Sequence, residues 1–381
     1  MDKNTLTGLL LIGAVLIGFT WFSKPDPTKQ ADPSQAPKTE LAQPTSSPST
    51  AVATTTLDST TQATLPRYAQ PRAEQTIELK NKKVSIKLST KGAAPQEVVL
   101  ADYLDQTKKP VHLFRKGDAR FNLPLRTAQN TLVNTADAYF DLISQTDSTA
   151  TLRMQLDSVA YLDFVYSLRS DDYRLNLTLS GNELRRLLDI SAAPASNEFV
   201  LGCPDGWTQR IPQQEQSWKF EGQYSGVYYH FPKGDVDRLE TTKEESEDVQ
   251  QTLQWVAFKD KYFSSVLINQ VSGFQNNKLS IKAEAEGSGY VRSCAMTATF
   301  PLTVKESTVS LPLTFFFGPN DYDLLRSYDA ELSKEDTPLQ LDHLVYLGMS
   351  VFRWINKYLI IPVVTFLAQY LSNWGIIILL L

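Results

Sequence analysis

Cysteine, histidine and local catalytic signatures are scarce in this sequence. Its 381 residues hold two cysteines, Cys203 and Cys294, and three scattered histidines, His112, His230 and His343. No spacing among them matches a zinc site. The two thiols allow either one disulfide in an oxidising compartment or two free buried side chains. G-x-G-x-x-G, P-loop, H-E-x-x-H, C-x-x-C and G-x-S-x-G are all missing, which removes local support for nucleotide, zinc-hydrolase, redox and serine-hydrolase chemistry. An excess of basic charge is missing too. The formal net charge is −5, so no global field draws nucleic acid, which is not an expected partner. No catalytic residue, cofactor or metal ligand is assigned.

Three clusters invite a chemical reading and are better explained structurally. Glu244 to Asp248, with Asp235, Asp237 and Glu240 nearby, lacks the alternating ligands and glycine of a calcium loop and reads as a solvated acidic loop. Tyr224, Tyr228, Tyr229 and Phe231 would suit a sugar platform, but they fit a strand with core aromatics better. Ser225 beside Gly226 has no histidine placed to activate it.

What is present is hydrophobic patterning of three kinds. Leu6 to Phe22 is uncharged and aliphatic, reaching roughly 26 Å as a helix, enough for a thin hydrocarbon core. Its weak n-region and the absence of a small-x-small site favour an uncleaved anchor, residues 1–23, over a signal peptide. Residues 24–72 are rich in Pro, Thr, Ser, Ala and Gln and read as a disordered linker.

From Ala73 the period becomes two. Ile77–Lys80, Val84–Leu88, Leu152–Leu156, Tyr173–Leu179 and Leu279–Ala283 alternate apolar and polar residues between turn signals. This predicts a mainly β domain over 73–332, an extended antiparallel β-sandwich. A short helix is expected from Asn320 to Leu332, capped by Asn320, with Leu324, Leu325 and Tyr328 facing the sheet.

Residues 333–374 change period again. Leu341, Leu344, Val345, Gly348, Val351, Phe352, Ile355 and Leu359 recur at three or four positions, predicting one amphipathic helix. Val351, Phe352 and Ile355 would dip into lipid, Arg353 and Lys357 would meet headgroups, and Trp354 and Trp374 would mark the interface. Pro362 is expected to kink or end that helix near Ile361. The aliphatic run after Gly375 is too short to span a bilayer, so residues 375–381 are expected to be the start of a cut second transmembrane helix.

Four stretches in this order resemble the bacterial YidC insertase family in its long form. They are the Met1–Thr5 start running into an apolar segment and a Pro/Thr/Ser linker; Trp255-Val256-Ala257 through Tyr262-Phe263; Phe316-Phe317-Gly318-Pro319-Asn320-Asp321-Tyr322; and Asn373-Trp374-Gly375 before an aliphatic run. The resemblance implies a β-supersandwich periplasmic domain of the galactose-mutarotase-like class, with a cytoplasmic N-terminus in the inner membrane. It implies non-enzymatic assistance to the insertion of nascent inner-membrane proteins, with the lipid bilayer and Sec translocon components as partners. It also implies that Trp255, Val256, Ala257, Phe263, Gly318, Pro319, Asn373 and Gly375 are structural motif positions. The family's groove arginine and remaining helices would lie past Leu381, so this chain is not expected to insert proteins unaided. Two alternatives stand beside it, a membrane-tethered carbohydrate-binding β domain and a structural envelope protein.

Overall fold

A computed structural model describes residues 65–126, 131–184, 198–239, 244–305, 308–333, 336–347, 355–371 and 373–380. The anchor over 1–23 and Val351, Phe352, Arg353 and Trp354 lie outside the described residues.

The period-two stretches form strands because alternation puts one apolar face on a core. Buried and less buried positions alternate along Thr76–Lys80, Thr149–Gln155 and Arg174–Asn182. A 14-stranded antiparallel sheet dominates. One limb runs from Val236–Arg238 through Gly226–His230, Trp255–Lys259, Phe263–Ile268, Thr308–Pro319, Arg174–Asn182, Tyr161–Leu168 and Thr149–Gln155 to Asp141–Gln145. The other limb contains Ala119–Phe121, Glu198–Pro212, Tyr290–Lys305, Gln275–Ala283 and Glu245–Val249. The limbs join where Val304 pairs with Val309 and Lys305 with Thr308. A separate four-stranded sheet holds Thr76–Lys80, Val84–Ser89, Pro95–Leu104 and Pro110–Phe114.

Aromatic contacts close the layers. Trp207 stacks on Phe258 at 4.0 Å, Phe121 meets Phe315 at 5.4 Å edge-on, and Phe114 meets Phe317 at 5.6 Å. Phe315 and Phe317 share one face of their strand, while Phe316 points the other way to Tyr173 and Tyr328. That second face is covered by the Tyr322–Ala330 helix, through Leu325 and Tyr328. The neighbouring Trp255–Lys259 and Phe263–Ile268 strands are therefore buried at every position rather than alternately.

Several sequence expectations change in the structure. Asp321, not Asn320, caps the helix, accepting the Leu324 N–H at 2.8 Å. Asn320 is occupied elsewhere: its Oδ1 accepts from Ser264 Oγ at 2.6 Å and its Nδ2 donates to the Asp260 carbonyl at 3.1 Å. The acidic stretch Glu245–Val249 is an edge strand rather than a loop, pairing with Gln275–Ala283. Charge along an edge discourages pairing with other chains. Arg67–Arg72, assigned above to the linker, packs on the sandwich. Arg67–Ala69 is a 3-10 turn, Arg67 pairs with Asp141 at 2.8 Å, and Arg72 pairs with the same carboxylate. Cys294 is a free, buried thiol, which removes the disulfide alternative.

The C-terminal stretch departs furthest from its period. Leu341–Leu344 is a 3-10 helix whose Leu341 and Leu344 belong to the β-domain core, with Leu339 beside them. The same three- and four-residue spacing serves this short packed segment, so the long amphipathic helix does not begin at Leu341. Farther on, Pro362 does not end the helix. The five residues before Ile361, Asn356–Ile360, form a π-turn, with the Ile361 N–H reaching the Asn356 carbonyl, and Ile361–Tyr370 continues as α-helix. Trp374–Leu380 forms a further helix. Among the described residues no helix is long and apolar enough to cross a membrane.

Gly318 is tied to this packing. It and Pro319 are the last residues of their strand, paired with Ser264 and Phe263. A Cβ on Gly318 would lie 2.7 Å from Phe316 Cζ and 2.9 Å from Tyr173 Cγ. Gly318→Ala is predicted to destabilise the domain by about 1–3 kcal/mol, the usual cost of overpacking. Urea unfolding checks this, and an unchanged midpoint would remove the claim.

Candidate functional site

Two motif stretches quoted from the sequence meet at one end of the sandwich. Trp255, Val256 and Ala257 are fully buried, and Phe263 nearly so. The Asp260–Phe263 turn is closed by the Asp260 N–H to the Phe263 carbonyl at 2.8 Å, and the Asn320 N–H adds a bond to the Tyr262 carbonyl at 2.6 Å. The turn of one motif is thus stitched to the strand end of the other.

Trp255 also reaches the segment that leaves the domain. Its indole Nε1–H donates to the Leu339 carbonyl at 2.6 Å. Gln254 Nε2 donates to the Thr337 carbonyl at 3.2 Å, and Gln254 Oε1 lies 2.9 Å from His230 Nδ1. The His230 ring stacks on Trp255 at 5.7 Å, and burial lowers its pKa. From the helix side, the Asp329 carboxylate accepts the N–H groups of Leu339 and Gln340 at 2.6 and 3.0 Å. Those two bonds help hold Gln340 at φ 51°, a left-handed conformation unusual for a residue with a Cβ. The result is a two-sided anchor on residues 337–340.

Behind the turn lies a buried charge cluster with no signal in the sequence. Lys259 Nζ donates to the carbonyls of Tyr224 and Asp260 at 2.8 and 3.1 Å. Asp260 Oδ1 accepts from Ser225 Oγ at 2.9 Å. Glu221, fully buried, accepts the N–H groups of Gln214 and Glu215 at 2.8 and 3.0 Å. Burial, then the Asp260 charge, pushes the Glu221 carboxyl up to about 9. Burial likewise raises Asp260 and pushes Lys259 down to about 8. In sequence, Lys259-Asp260-Lys261 looks like a solvated turn, and a lone glutamate in a one-turn helix has no periodic signature.

In front of the turn, a cleft of about 640 Å³ opens between Tyr103, Asp105, Gln214, Tyr262, Phe263 and Asn320. Tyr103 meets Phe263 edge-on at 5.2 Å in its wall. Of the tyrosines weighed as a sugar platform, Tyr228 and Tyr229 are buried, and Tyr229 donates to Glu247 at 2.9 Å.

The interface positions distribute differently. Ile355 is half-buried at the start of the C-terminal helical segment, Lys357 lies in the π-turn, and Trp374 begins the last helix. Asn373 caps that helix by accepting the Gly375 N–H on Oδ1 at 2.9 Å.

The buried pair sets a pH dependence. Between the ordinary glutamate value of 4.5 and about 9, the folded chain keeps the Glu221 proton that the unfolded chain releases. Folding stability therefore falls as pH rises across that window, by up to about 1.4 kcal/mol per pH unit. Lys259 is protonated in both states below about 8 and adds no slope there. Glu221→Gln, which removes the titrating proton and keeps an acceptor for one of the two N–H groups, is predicted to flatten the slope of unfolding free energy from pH 5.5 to 7.5. Equal slopes in the two proteins would contradict it.

Comparison with known proteins agrees with the motifs. A family model described as the YidC periplasmic domain matches residues 76–362. A membrane protein insertase YidC of Porphyromonas gingivalis is 48% identical over all of this chain and 61% of its own length. One from Parabacteroides distasonis is 35% identical, again over the whole chain and 61% of the relative. This chain thus spans less than two thirds of the relatives it matches. A galactose mutarotase-like protein from Lactobacillus casei aligns over 64% of this chain and all of its own at 12% identity, with a TM-score of 0.38. The family match and the two relatives show that the chain belongs to the YidC family and contains its periplasmic domain.

Proposed function

We propose that this chain is the periplasmic and membrane-approach portion of a membrane protein insertase, held in the bacterial inner membrane with its β domain on the periplasmic side. Its partners are the lipid bilayer, nascent inner-membrane proteins and Sec translocon components, and it works without covalent chemistry. The protein lowers the barrier to moving polar parts of a client past hydrocarbon. The β domain serves as an accessory that fixes where the chain meets the membrane.

One observation carries this reading beyond family membership. The helical segments Asn356–Ile360, Ile361–Tyr370 and Trp374–Leu380 leave Tyr358, Phe366, Tyr370 and Ile378 between 59% and 73% exposed. Helical segments that turn large apolar side chains outward need a nonaqueous surrounding. The anchor on residues 337–340 ties that stretch to a folded domain of ordinary polarity outside.

Two measurements test the proposal. Leu359→Asp with Phe366→Asp, in a chain beginning at Lys24, is predicted to lower co-flotation with liposomes at least about tenfold, since a carboxylate in the hydrocarbon costs about 2.5–3.5 kcal/mol. Undiminished flotation would contradict the lipid placement. Depleting the full-length protein from its own bacterium is predicted to leave inner-membrane proteins uninserted and protease-accessible, with normal insertion contradicting the insertase role.

A further inference from the structure

We propose that the β domain itself rests on the headgroup layer of the bilayer, through a ring-lined end carrying Phe220, Tyr262 and Tyr346. The inference rests on reading the Asn356–Tyr370 helix as lipid-immersed, and it adds a second, independent contact between protein and membrane.

Among the described residues of the β domain, the exposed large aliphatic residues Leu104, Leu132, Leu142, Ile143, Val159 and Val271 are dispersed along the chain. The exposed aromatic residues are Phe220, Tyr262 and Tyr346, at 45%, 49% and 60% exposure. Although far apart in sequence, they are brought to one end. Phe220 meets Tyr224 edge-on at 5.4 Å, and Tyr224 meets Tyr346 at 6.1 Å. Lys261 Nζ bridges the third ring, 4.3 Å from the centre of Phe220 and 4.4 Å from that of Tyr262. Its charge is balanced by Glu215 at 3.3 Å.

Position identifies the occupant. This end is where the chain leaves the domain: the Leu347 carbonyl, one residue past Tyr346, accepts from Asn356 Nδ2 at 3.0 Å. The apolar helix therefore starts within a hydrogen bond of the ring cluster. If that helix enters hydrocarbon, Tyr346 and its neighbours stand at the headgroup level. Amphipathic rings and a lysine that tracks along them are the chemistry favoured at that depth. A protein partner would have to fit between the domain and a bilayer that begins at Asn356.

The fold presents the rings firmly. Phe220 sits on the Trp218–Gly222 turn, which Ser217 caps and buried Glu221 pins to Gln214 and Glu215. Tyr262 sits on the motif turn that Asn320 stitches shut. Tyr346 follows buried Leu344, downstream of the Trp255 anchor. The buried charge cluster and the anchor thus hold one surface in register.

The test uses the whole chain in phosphatidylcholine–phosphatidylglycerol vesicles, with both cysteines replaced by serine and one nitroxide introduced at a time. Labels go at Lys219→Cys beside Phe220, at Phe366→Cys on the helix, and at Ser144→Cys on the edge strand at the other end of the long limb. Collision with a water-soluble nickel chelate is read for each. The expected result is a severalfold loss of collision rate at position 219 relative to 144. Phe220→Ser with Tyr346→Ser should restore it, with an unchanged melting temperature. A label at 219 as accessible as that at 144, while 366 reports lipid, overturns the proposal and leaves the helix reading intact. If 366 is also water-accessible, the helix reading and the proposal fall together.

Discussion

The structure turns on one buried hydrogen bond, from the indole of Trp255 to the Leu339 carbonyl. Trp255 is wholly buried in a strand flanked on both sides by others, so its donor has no access to water. Leaving it unpaired would cost about 1–3 kcal/mol. Leu339 can supply the acceptor only if the chain after the Tyr322–Ala330 helix turns back across the sheet. Once it does, Leu339, Leu341 and Leu344 are buried, each contributing roughly 2 kcal/mol of apolar transfer. A sheet face that would otherwise meet solvent becomes core. The segment that leads out of the domain is thereby part of the domain's own interior.

The charged groups behind the Asp260–Phe263 turn serve the same end at a cost. Taking Glu221, Lys259 and Asp260 out of water is unfavourable unless their polar atoms are paired and their charges partly cancelled. Backbone N–H groups, the Ser225 hydroxyl and backbone carbonyls supply the pairing. A retained proton on the carboxylate side supplies the cancellation. The return is definition: the Gln214–Gly222 segment and the Asp260–Phe263 turn have one arrangement that satisfies all of these atoms. Cleft and ring-lined end are built on those two segments.

How much was legible in the sequence follows from what each signal encodes. Strict alternation at Thr149–Gln155 and Arg174–Asn182 reports a strand with one wet face, and those strands are there. Tyr228 and Tyr229 were legible as core from the strand preference of aromatic residues and not from alternation, since their strand is buried at every position. Leu339–Val345 was not, because a three- or four-residue spacing describes a stripe and not the surface that covers it. Lipid and a β-sheet face ask the same thing of leucine. The capping role misplaced onto Asn320 reflects two adjacent residues with equal capping chemistry, separated only by Asn320's tertiary bonds to Ser264 and Asp260. Lys259 and Asp260 were invisible as buried groups, since charge normally marks solvent. Glu221 is buried by partners found only in three dimensions.

The most direct test of the central claim is amide hydrogen exchange on Trp255→Phe in the full chain. Phenylalanine fills most of the indole volume but cannot donate to Leu339. The account predicts intact protection of Val256 to Phe258 and a rise in exchange confined to Leu339–Tyr346, on the order of tenfold for about 1.4 kcal/mol lost. Unchanged protection of Leu339–Tyr346 in the phenylalanine protein would contradict it, because that segment would then be held without the tryptophan.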